Sequence, residues 1–259
     1  MLKFILNTPR IRELTCICMA FGAAWPSAAA DLRVAVTENL DYPLNIFDKD
    51  RQLKGGLLKE FTDNIAGHIG AKPVYRLYSR RRVDAAVIGG DSDLLCYTSP
   101  KWMETPQAVA WTIPAMPQVE RVVVLRGSPL PEAFQQDLKG KRIAVQIGYH
   151  YALIQALFDS GQARRMDMTD VPGMFRLLER GGADALISSE SEIEGYFKNF
   201  PDKRHLYQAS KKPFSIVQTQ CALSYRSRWK LAPVNRAIQR MQESGELEKM
   251  MRDYGLSTH

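Results

Sequence analysis

Apolar positions in the first half of the chain alternate between two patterns. Short β-branched runs predict strands at 32–37, 72–77 and 93–97, and apolar residues at helical spacing predict helices at 58–69 and 79–88. The segment 38–56 between the first strand and the first helix is predicted to be a loop. The resulting order of strand, helix, strand, helix and strand is typical of a parallel sheet with helices on its faces.

The same order recurs in the second half. Strands are predicted at 122–126, 142–146, 165–169 and 184–188, with a helix at 174–180, and a further helix is predicted to begin near Glu190. The segments VDAAVIGGDSDLLC and FRLLERGGADALIS share a helix end, a Gly-Gly break and an aspartate entering an apolar strand. Two similar α/β units predict two lobes with a cleft between them.

The end of the chain changes character. A strand is predicted at 217–225, followed by two amphipathic helices that Ser244 and Gly245 separate. The apolar faces of these helices are predicted to pack in the core, and docking of a partner is the alternative.

The segment 137–158 combines a strand, a glycine turn and a helix. A strand is predicted at 142–146, and Gly148 is predicted to end it where an amphipathic helix begins, with Ala152, Ala156 and Leu157 on one side. The first N–H groups of a helix lack intrahelical partners, so this turn is a candidate site for a polar or anionic group. An ordinary connection without a ligand is the alternative.

The first 30 residues have the composition of a signal peptide. A basic head, an apolar run at 14–24 and three alanines at 28–30 predict export and a mature chain that starts near Asp31. The apolar run is about half of the roughly 20 residues that a membrane-spanning helix needs. We therefore expect a protein that is not embedded in the membrane.

Charge and motifs narrow the function further. The sequence has 35 Lys and Arg against 28 Asp and Glu, a formal net charge of +7. Its densest basic spots, at 80–82 and 211–212, do not alternate with aromatic residues, so no nucleic-acid partner is expected. We find no metal-ligand spacing, catalytic triad order, phosphate loop or dinucleotide fingerprint, and we expect neither a cofactor nor a metal.

Several segments together resemble one protein family. In chain order they are LRVAVT followed by Tyr42-Pro43, DLKGKRIAVQIG, RLLERGGADALIS and VNRAIQRMQESGELEKMMRDYG. This order resembles the solute-binding proteins of family 3, periplasmic proteins of the amino-acid-binding type that deliver ligands to ABC importers. The similarity runs nearly from end to end.

The resemblance implies an α/β, two-lobed fold of the periplasmic-binding-protein type II, with two hinge strands between the lobes. Lobe one would comprise 31–121 and 218–259, and lobe two 122–217, with hinge strands near 119–125 and 215–222. A small-molecule ligand would lie in the cleft, where closure of the lobes traps it. An ABC transporter permease is the expected partner, and the protein is expected to be a monomer.

The resemblance also implies where ligand-binding residues lie, since open α/β sheets bind ligands at the carboxyl ends of their strands. The candidates at those ends are Glu38, Tyr42, Arg80, Tyr97, Thr98, Trp102, Tyr149, His150 and Glu190. Tyr42 matches the aromatic residue that packs on the ligand in the family, and a plain surface tyrosine is the alternative.

Three departures from the family pattern fall on groups that read an amino acid's backbone. The usual carboxylate-binding arginine aligns with Thr105, and Lys101 one turn earlier lacks the bidentate fork of arginine. Tyr149 and His150 replace a Ser-Thr pair, and the usual ammonium-binding aspartate aligns with Ser189, which leaves Glu190 as the nearest carboxylate. We therefore expect a small polar or zwitterionic ligand with an apolar or aromatic part.

The implied fold also places two cysteines. Cys96 would end the third strand of lobe one, and Cys221 would start the returning strand that runs antiparallel beside it. A disulfide next to the hinge is one expectation, and two buried thiols are the alternative.

Two other functions stay open at this stage. A periplasmic enzyme on the same bilobal scaffold would use His150, Glu190, Glu192 or Glu194 as acid and base. Negative charge is favourable at a helix start in any protein, however, so the three glutamates do not by themselves indicate catalysis. A diffusible sensor that reports to a membrane receptor would share the scaffold and the cleft.

Overall fold

A computed structural model describes residue 1 and residues 29–38 and 40–258 of the 259-residue chain. The predicted signal peptide at 1–30 lies almost entirely outside the described residues. Within the described part, no helix is long and apolar enough to cross a membrane.

The chain forms strands and helices in the alternating order that the sequence predicts. The strands are β1 Asp31–Thr37, β2 Ile46–Phe47, β3 Leu53–Gly55, β4 Lys72–Tyr78, β5 Leu94–Thr98, β6 Val109–Trp111, β7 Pro117–Leu125, β8 Arg142–Gln146, β9 Arg164–Met168, β10 Ala185–Ser189, β11 Tyr207–Ala209, β12 Ser215–Gln218 and β13 Gln220–Ser224. The helices are α1 Leu57–Ile69, α2 Arg80–Gly89, α3 Phe134–Asp137, α4 Gln155–Asp159, α5 Val171–Glu179, α6 Glu190–Asn199, α7 Leu231–Glu243 and α8 Glu246–Asp253.

Two larger sheets carry the fold. The first has the order β4-β1-β5-β13-β6, in which β1 runs parallel to β4 and β5, and β13 runs antiparallel to both of its neighbours. The second has the order β11-β7-β10-β8-β9, with β12 also paired to β7. The predicted mixed α/β architecture is therefore confirmed.

Each sheet packs against its own helices. The first sheet packs against α1, α7 and α8 through residues such as Phe61, Ile65 and Ile238, which are fully buried. In the second, Phe175 of α5 stacks on Tyr196 of α6 with ring centroids 3.7 Å apart. The apolar faces of α7 and α8 lie in the core of the first sheet, as predicted.

The chain crosses between the two sheets twice, and the crossings lie side by side. β7 enters the second sheet directly after Met116, and β12 runs antiparallel to it before the chain returns. Thr219 alone separates β12 from β13, and its N–H and hydroxyl both donate to the carbonyl of Met116, at 2.9 and 2.7 Å. The predicted hinge segments fall on these strands, and the exact lobe boundaries stay a prediction.

The single strand predicted at 217–225 is wrong. It consists of two strands that belong to different sheets, β12 and β13, with the break at Thr219. The sequence does not mark this break with a glycine or a proline, and a strand that changes its partner keeps its own backbone period.

The helix predicted directly after Gly148 is also wrong. The residues after the glycine form turns, and α4 begins only at Gln155 and has five residues. The buried side chains here are Tyr151, Ile154 and Leu157, whereas Ala152 and Ala156 are exposed. Because no helix begins at the turn, the anion site expected at its N-terminus is not present.

Candidate functional site

A bulge at the end of β5 shapes the side of the first sheet that faces the second. Leu95 pairs with Ala222 and Thr98 pairs with Gln220, so two residues of β5 stand opposite Cys221 alone. Tyr97 takes up the extra length with a φ of 58°, in the left-handed region that non-glycine residues rarely adopt. Bulges change the direction of a side chain and are over-represented next to functional sites.

Tyr97 is directed at the second sheet. Its side chain is buried, and its hydroxyl lies near Ser191 at the start of α6. Burial raises the pKa of Tyr97, the nearby Ser191 opposes the rise, and the charges of Glu192, Glu190 and Glu120 add to it. Tyr97 therefore contacts the end of the second sheet where several carboxylates gather.

Cys96 and Cys221 form a disulfide in the structure, with the two sulfur atoms 2.04 Å apart. The bond joins β5 to β13 at the bulge, next to Tyr97 and close to the crossing at Thr219. The covalent link thus fixes the strand that presents Tyr97.

Arg80 and Trp102 lie together on the first sheet's side. Arg80 is the first residue of α2, and its guanidinium donates to the carbonyl of Trp102 at 3.2 Å and to the carboxylate of Asp84 at 3.2 Å. Its side chain is still half exposed. Arg80 is therefore held in position while some of its N–H groups remain able to bind another group.

Tyr149 lies between the two sides. The residue is half exposed, but partial burial of its ring raises the pKa of its hydroxyl. The charge of Glu192 raises this pKa further, and the charge of Arg80 lowers it. Tyr149 is therefore close enough to Glu192 of α6 and to Arg80 of α2 for both charges to affect it. His150 beside it is exposed.

The two remaining candidates on the first sheet differ in exposure. Glu38 is exposed just after β1, and its backbone carbonyl accepts a 2.7 Å hydrogen bond from Arg51. Thr98 is buried at the end of β5, where it pairs with Gln220. Among the described residues, the side chains of Glu38 and Thr98 form no hydrogen bond with Arg80 or Tyr97.

Tyr42 packs against the second sheet's helix α6 at a point where little space remains. A Cβ added to Gly195 would lie 2.6 Å from the carbonyl oxygen of Tyr42. The ring of Tyr42 lies 6.4 Å from that of Tyr254 and 5.2 Å from the ammonium of Lys198. Tyr42 is therefore packed against α6 and Tyr254 and is not a plain surface tyrosine.

Replacing Gly195 with alanine is expected to lower the free energy of unfolding by about 1–3 kcal/mol, because the new methyl group collides with backbone. Gly67 of α1 is the matched control, since a Cβ there meets nothing within 4 Å and is expected to stabilise the helix by about 0.5–1 kcal/mol. Urea unfolding followed by circular dichroism measures both changes. If both variants changed the free energy of unfolding by the same amount in the same direction, the close approach of the Tyr42 carbonyl to Gly195 would be contradicted.

Glu190 is held by protein groups on both oxygens. Arg121 donates to one oxygen at 2.7 Å, and the hydroxyl and backbone N–H of Ser257 donate at 2.8 and 2.9 Å. The guanidinium of Arg121 also donates to the carbonyls of Ser210 and Lys211 and to Ser257. The side chains of the Arg121–Glu190 pair are only 10% and 15% exposed. Because three hydrogen bonds and the charge of Arg121 already engage its carboxylate, Glu190 serves as the partner of Arg121 in this structure, and a role in ligand binding stays a prediction.

Two other carboxylates near this position were not among the predicted ligand-binding residues, although the sequence had indicated Glu192 as a possible catalytic group. Glu120 lies in the middle of β7, and Glu192 lies in the first turn of α6. The available signal was the charged pair Glu120-Arg121 within the apolar run PQVERVVVL, where charges are unexpected. Among the described residues, no group of three or more His, Cys, Asp or Glu side chains is placed to hold a metal ion.

Comparisons with known proteins identify the fold. No protein-family model and no curated protein matches the chain. The chain is similar to the L-cystine solute receptor of Neisseria gonorrhoeae in its unliganded open conformation, with 20% identity, a TM-score of 0.69 and coverage of 89% of this chain and 95% of that one.

Two further solved structures are similar over most of their length. One is the probable amino-acid ABC transporter extracellular-binding protein ytmK of Bacillus subtilis, with 15% identity, a TM-score of 0.72 and coverage of 87% and 97%. The other is a histidine kinase sensor domain with similarity to periplasmic binding proteins, with 19% identity, a TM-score of 0.65 and coverage of 87% and 96%. The predicted two-lobed, periplasmic-binding-protein-like fold is thereby confirmed.

Proposed function

We propose that this protein is a periplasmic solute-binding protein that captures a small polar or amino-acid-like ligand between its two sheets and delivers it to an ABC importer. The observation that carries the proposal is the position of Arg80, Tyr97, Tyr149 and Glu192 at or just after the carboxyl ends of β4, β5, β8 and β10. Open α/β sheets bind their ligands at this edge. The names of two similar structures, a solute receptor and an extracellular-binding protein, support the same function.

Two of the three glutamates that an enzyme would need are paired with arginines, and the third belongs to a helix capping box. Glu190 is paired with Arg121, and Glu194 is paired with Arg204 at 2.6 Å. Glu192 accepts hydrogen bonds from Ser188 and from the N–H and hydroxyl of Ser189, the arrangement of a helix capping box. Binding without chemistry is therefore the function that we propose for this cleft.

A ligand screen tests the proposal. The mature chain from Asp31 would be mixed with amino acids, polyamines and aromatic acids, and a bound ligand is expected to raise the melting temperature by mass action. Small-angle scattering is expected to show a smaller radius of gyration in the bound state, because closure around a ligand brings the lobes together. Binding without any compaction would contradict capture between the lobes.

Arg80→Ala is expected to weaken binding in that screen, since it removes the charged group that faces Tyr149 from the first sheet. Arg81→Ala is the matched control, because Arg81 is an exposed neighbour on the same helix. Isothermal titration of both variants with the best ligand of the screen makes the comparison. If the two variants bound the ligand with equal affinity, Arg80 would not be part of the ligand site.

A diffusible sensor is the second candidate, and the similarity to a histidine kinase sensor domain favours it specifically. The two functions differ in what depends on the protein. An importer component is expected to be required for uptake of the radiolabelled ligand by cells, whereas a sensor is expected to leave uptake unchanged and alter transcription in response to the ligand.

A further inference from the structure

The segment that follows α8 is anchored in the core of the first sheet. Leu256 is only 6% exposed and packs in the apolar cluster of that core, and its N–H donates to the carbonyl of Met251 at 3.0 Å. Two residues earlier, the hydroxyl of Tyr254 donates to the carboxylate of Glu60 on α1 at 2.6 Å. These contacts fix the place from which Ser257 leaves the first sheet's side.

Ser257, the next residue, is bonded to the second sheet's side. Its N–H and its hydroxyl donate to the two oxygens of Glu190, at 2.9 and 2.8 Å. Glu190 is the first residue of α6, which directly follows β10 of the second sheet. Arg121 of β7 donates to the same carboxylate at 2.7 Å and to the hydroxyl of Ser257 at 3.3 Å. Of two adjacent residues, Leu256 therefore packs with the first sheet and Ser257 bonds to the second.

Helix α6 lies against the first sheet's side at further points. The carbonyl oxygen of Tyr42 approaches Gly195 so closely that a Cβ there would lie 2.6 Å from it. A Cβ at Gly255 would lie 3.5 Å from the carboxylate of Glu194. The ammonium of Lys198, in the last turn of α6, lies 5.2 Å from the ring of Tyr42. From its first residue to its last turn, α6 thus contacts the loop after β1 and the segment after α8.

The bonds of Ser257 are sensitive to the angle between the lobes. The two chain crossings meet at Met116, and Arg121 lies five residues further along β7, about 16 Å away at roughly 3.3 Å per residue. On such an arm, a rotation of about 5° across the strand moves Arg121 and Glu190 by about 1.4 Å. Because Ser257 is tethered to the first core, a shift of that size breaks its bonds of 2.8 and 2.9 Å to Glu190.

We propose that Ser257 and Glu190 form a latch that holds the two lobes close together, and that Ser257 is a positioning residue for ligand capture. The lobes are close in this structure, because the hydroxyl of Tyr97 on β5 lies near Ser191 of α6. A ligand that binds between the lobes favours this state, and its apparent affinity rises with the fraction of free protein that already occupies it. The latch therefore strengthens ligand binding without a contact between Ser257 and the ligand. The inference rests on the proposed solute-binding function.

Small-angle scattering of the ligand-free chain from Asp31 tests the latch directly. Ser257→Ala removes the hydroxyl bond to Glu190, keeps the bond from the backbone N–H, and is expected to increase the radius of gyration. Ser257→Thr keeps both donors and is expected to match the parent protein. Ser244→Ala is the matched control, because the hydroxyl of Ser244 donates to Met241 of the helix that it ends, and the radius is expected to stay unchanged.

Melting temperatures of the same variants separate a latch from an ordinary stabilising contact. If Ser257→Ala lowered the melting temperature but left the radius of gyration equal to that of the parent protein, Ser257 would serve stability alone and the latch would be overturned. A smaller radius for this variant would overturn it as well, because the bonds would then hold the lobes apart.

Ligand binding supplies a second measurement. L-Arginine, L-glutamine and L-cystine would be titrated calorimetrically into the parent protein and the variants. Any of them that binds is expected to bind Ser257→Ala about 3- to 10-fold more weakly, the equivalent of one net hydrogen bond. Ser257→Thr and Ser244→Ala are expected to keep the affinity of the parent protein, and equal affinities for Ser257→Ala and the parent would overturn the latch.

The latch and the proposed function fail in different ways. Scattering that does not distinguish Ser257→Ala from the parent protein overturns the latch, and the solute-binding function stands if a compound binds. Failure of compounds of every charge to bind at millimolar concentration overturns the solute-binding function, and the scattering of the ligand-free proteins still decides the latch.

Discussion

Replacing Glu190 with alanine is expected to lower the free energy of unfolding by about 3–5 kcal/mol, the loss found when one partner of a buried ion pair is removed. Arg121 would keep its contacts with two carbonyls and Ser257, but its charge would lose the only carboxylate bonded to it among the described residues. The hydroxyl and N–H of Ser257 would lose their acceptor as well. Urea unfolding monitored by far-ultraviolet circular dichroism measures the change.

Glu194→Ala is the matched control for that experiment. Glu194 lies on the same helix and also pairs with an arginine, but Arg204 is 54% exposed. Ion pairs with so much solvent access contribute roughly 0–1 kcal/mol. Similar losses for the two variants would show that the environment of Glu190 is not buried as the structure has it.

Replacing both Cys96 and Cys221 with alanine is expected to lower the free energy of unfolding by about 5 kcal/mol, on the chain-entropy estimate for the 125-residue separation that the bond closes. The loss arises mainly in the unfolded chain, which becomes less restricted. Alkylation followed by mass spectrometry, without a reductant, is expected to leave the mass of the parent protein unchanged, where the parent is the chain from Asp31, which contains only these two cysteines. Melting temperatures with and without a reductant then measure the contribution of the bond.

The double variant provides its own control, because a reductant is expected to change the melting temperature of the parent protein and to leave that of the variant unaffected. Uptake of two alkyl groups by the denatured, unreduced parent protein would mean that the thiols are free. The disulfide prediction would then fail.

The fold was predictable because its strongest signals are local. The strand at Arg142–Gln146 was predicted to the residue, since an apolar β-branched run between charged and glycine residues marks both of its ends. The helix after Gly148 failed because Ala152 and Ala156 have the composition of a helix but face solvent, while Tyr151 and Ile154 fill the core from a turn. Tertiary packing decided that segment, and local propensity did not.

The candidate site was less predictable, because it depends on which chain segments pair. Glu190 and Glu192 are two residues apart on one helix, yet one is bonded to Arg121 and the other is held by serines. The position of Glu120 became apparent only from the register of β7, which places it between Ser215 and Ser189. A single sequence does not specify register between strands that lie 69 positions apart, as Ser189 and Glu120 do.

The hydrogen bonds between Thr219 and Met116 hold the two crossings between the sheets together. Both connections between the sheets pass through this one point, so a rotation of one sheet against the other has its pivot there. A small angle at a pivot becomes a displacement that grows with distance from it. Fluorophores attached at the far rims of the two lobes would therefore act as the ends of a long lever, and their energy transfer would report binding of a ligand that is itself colourless.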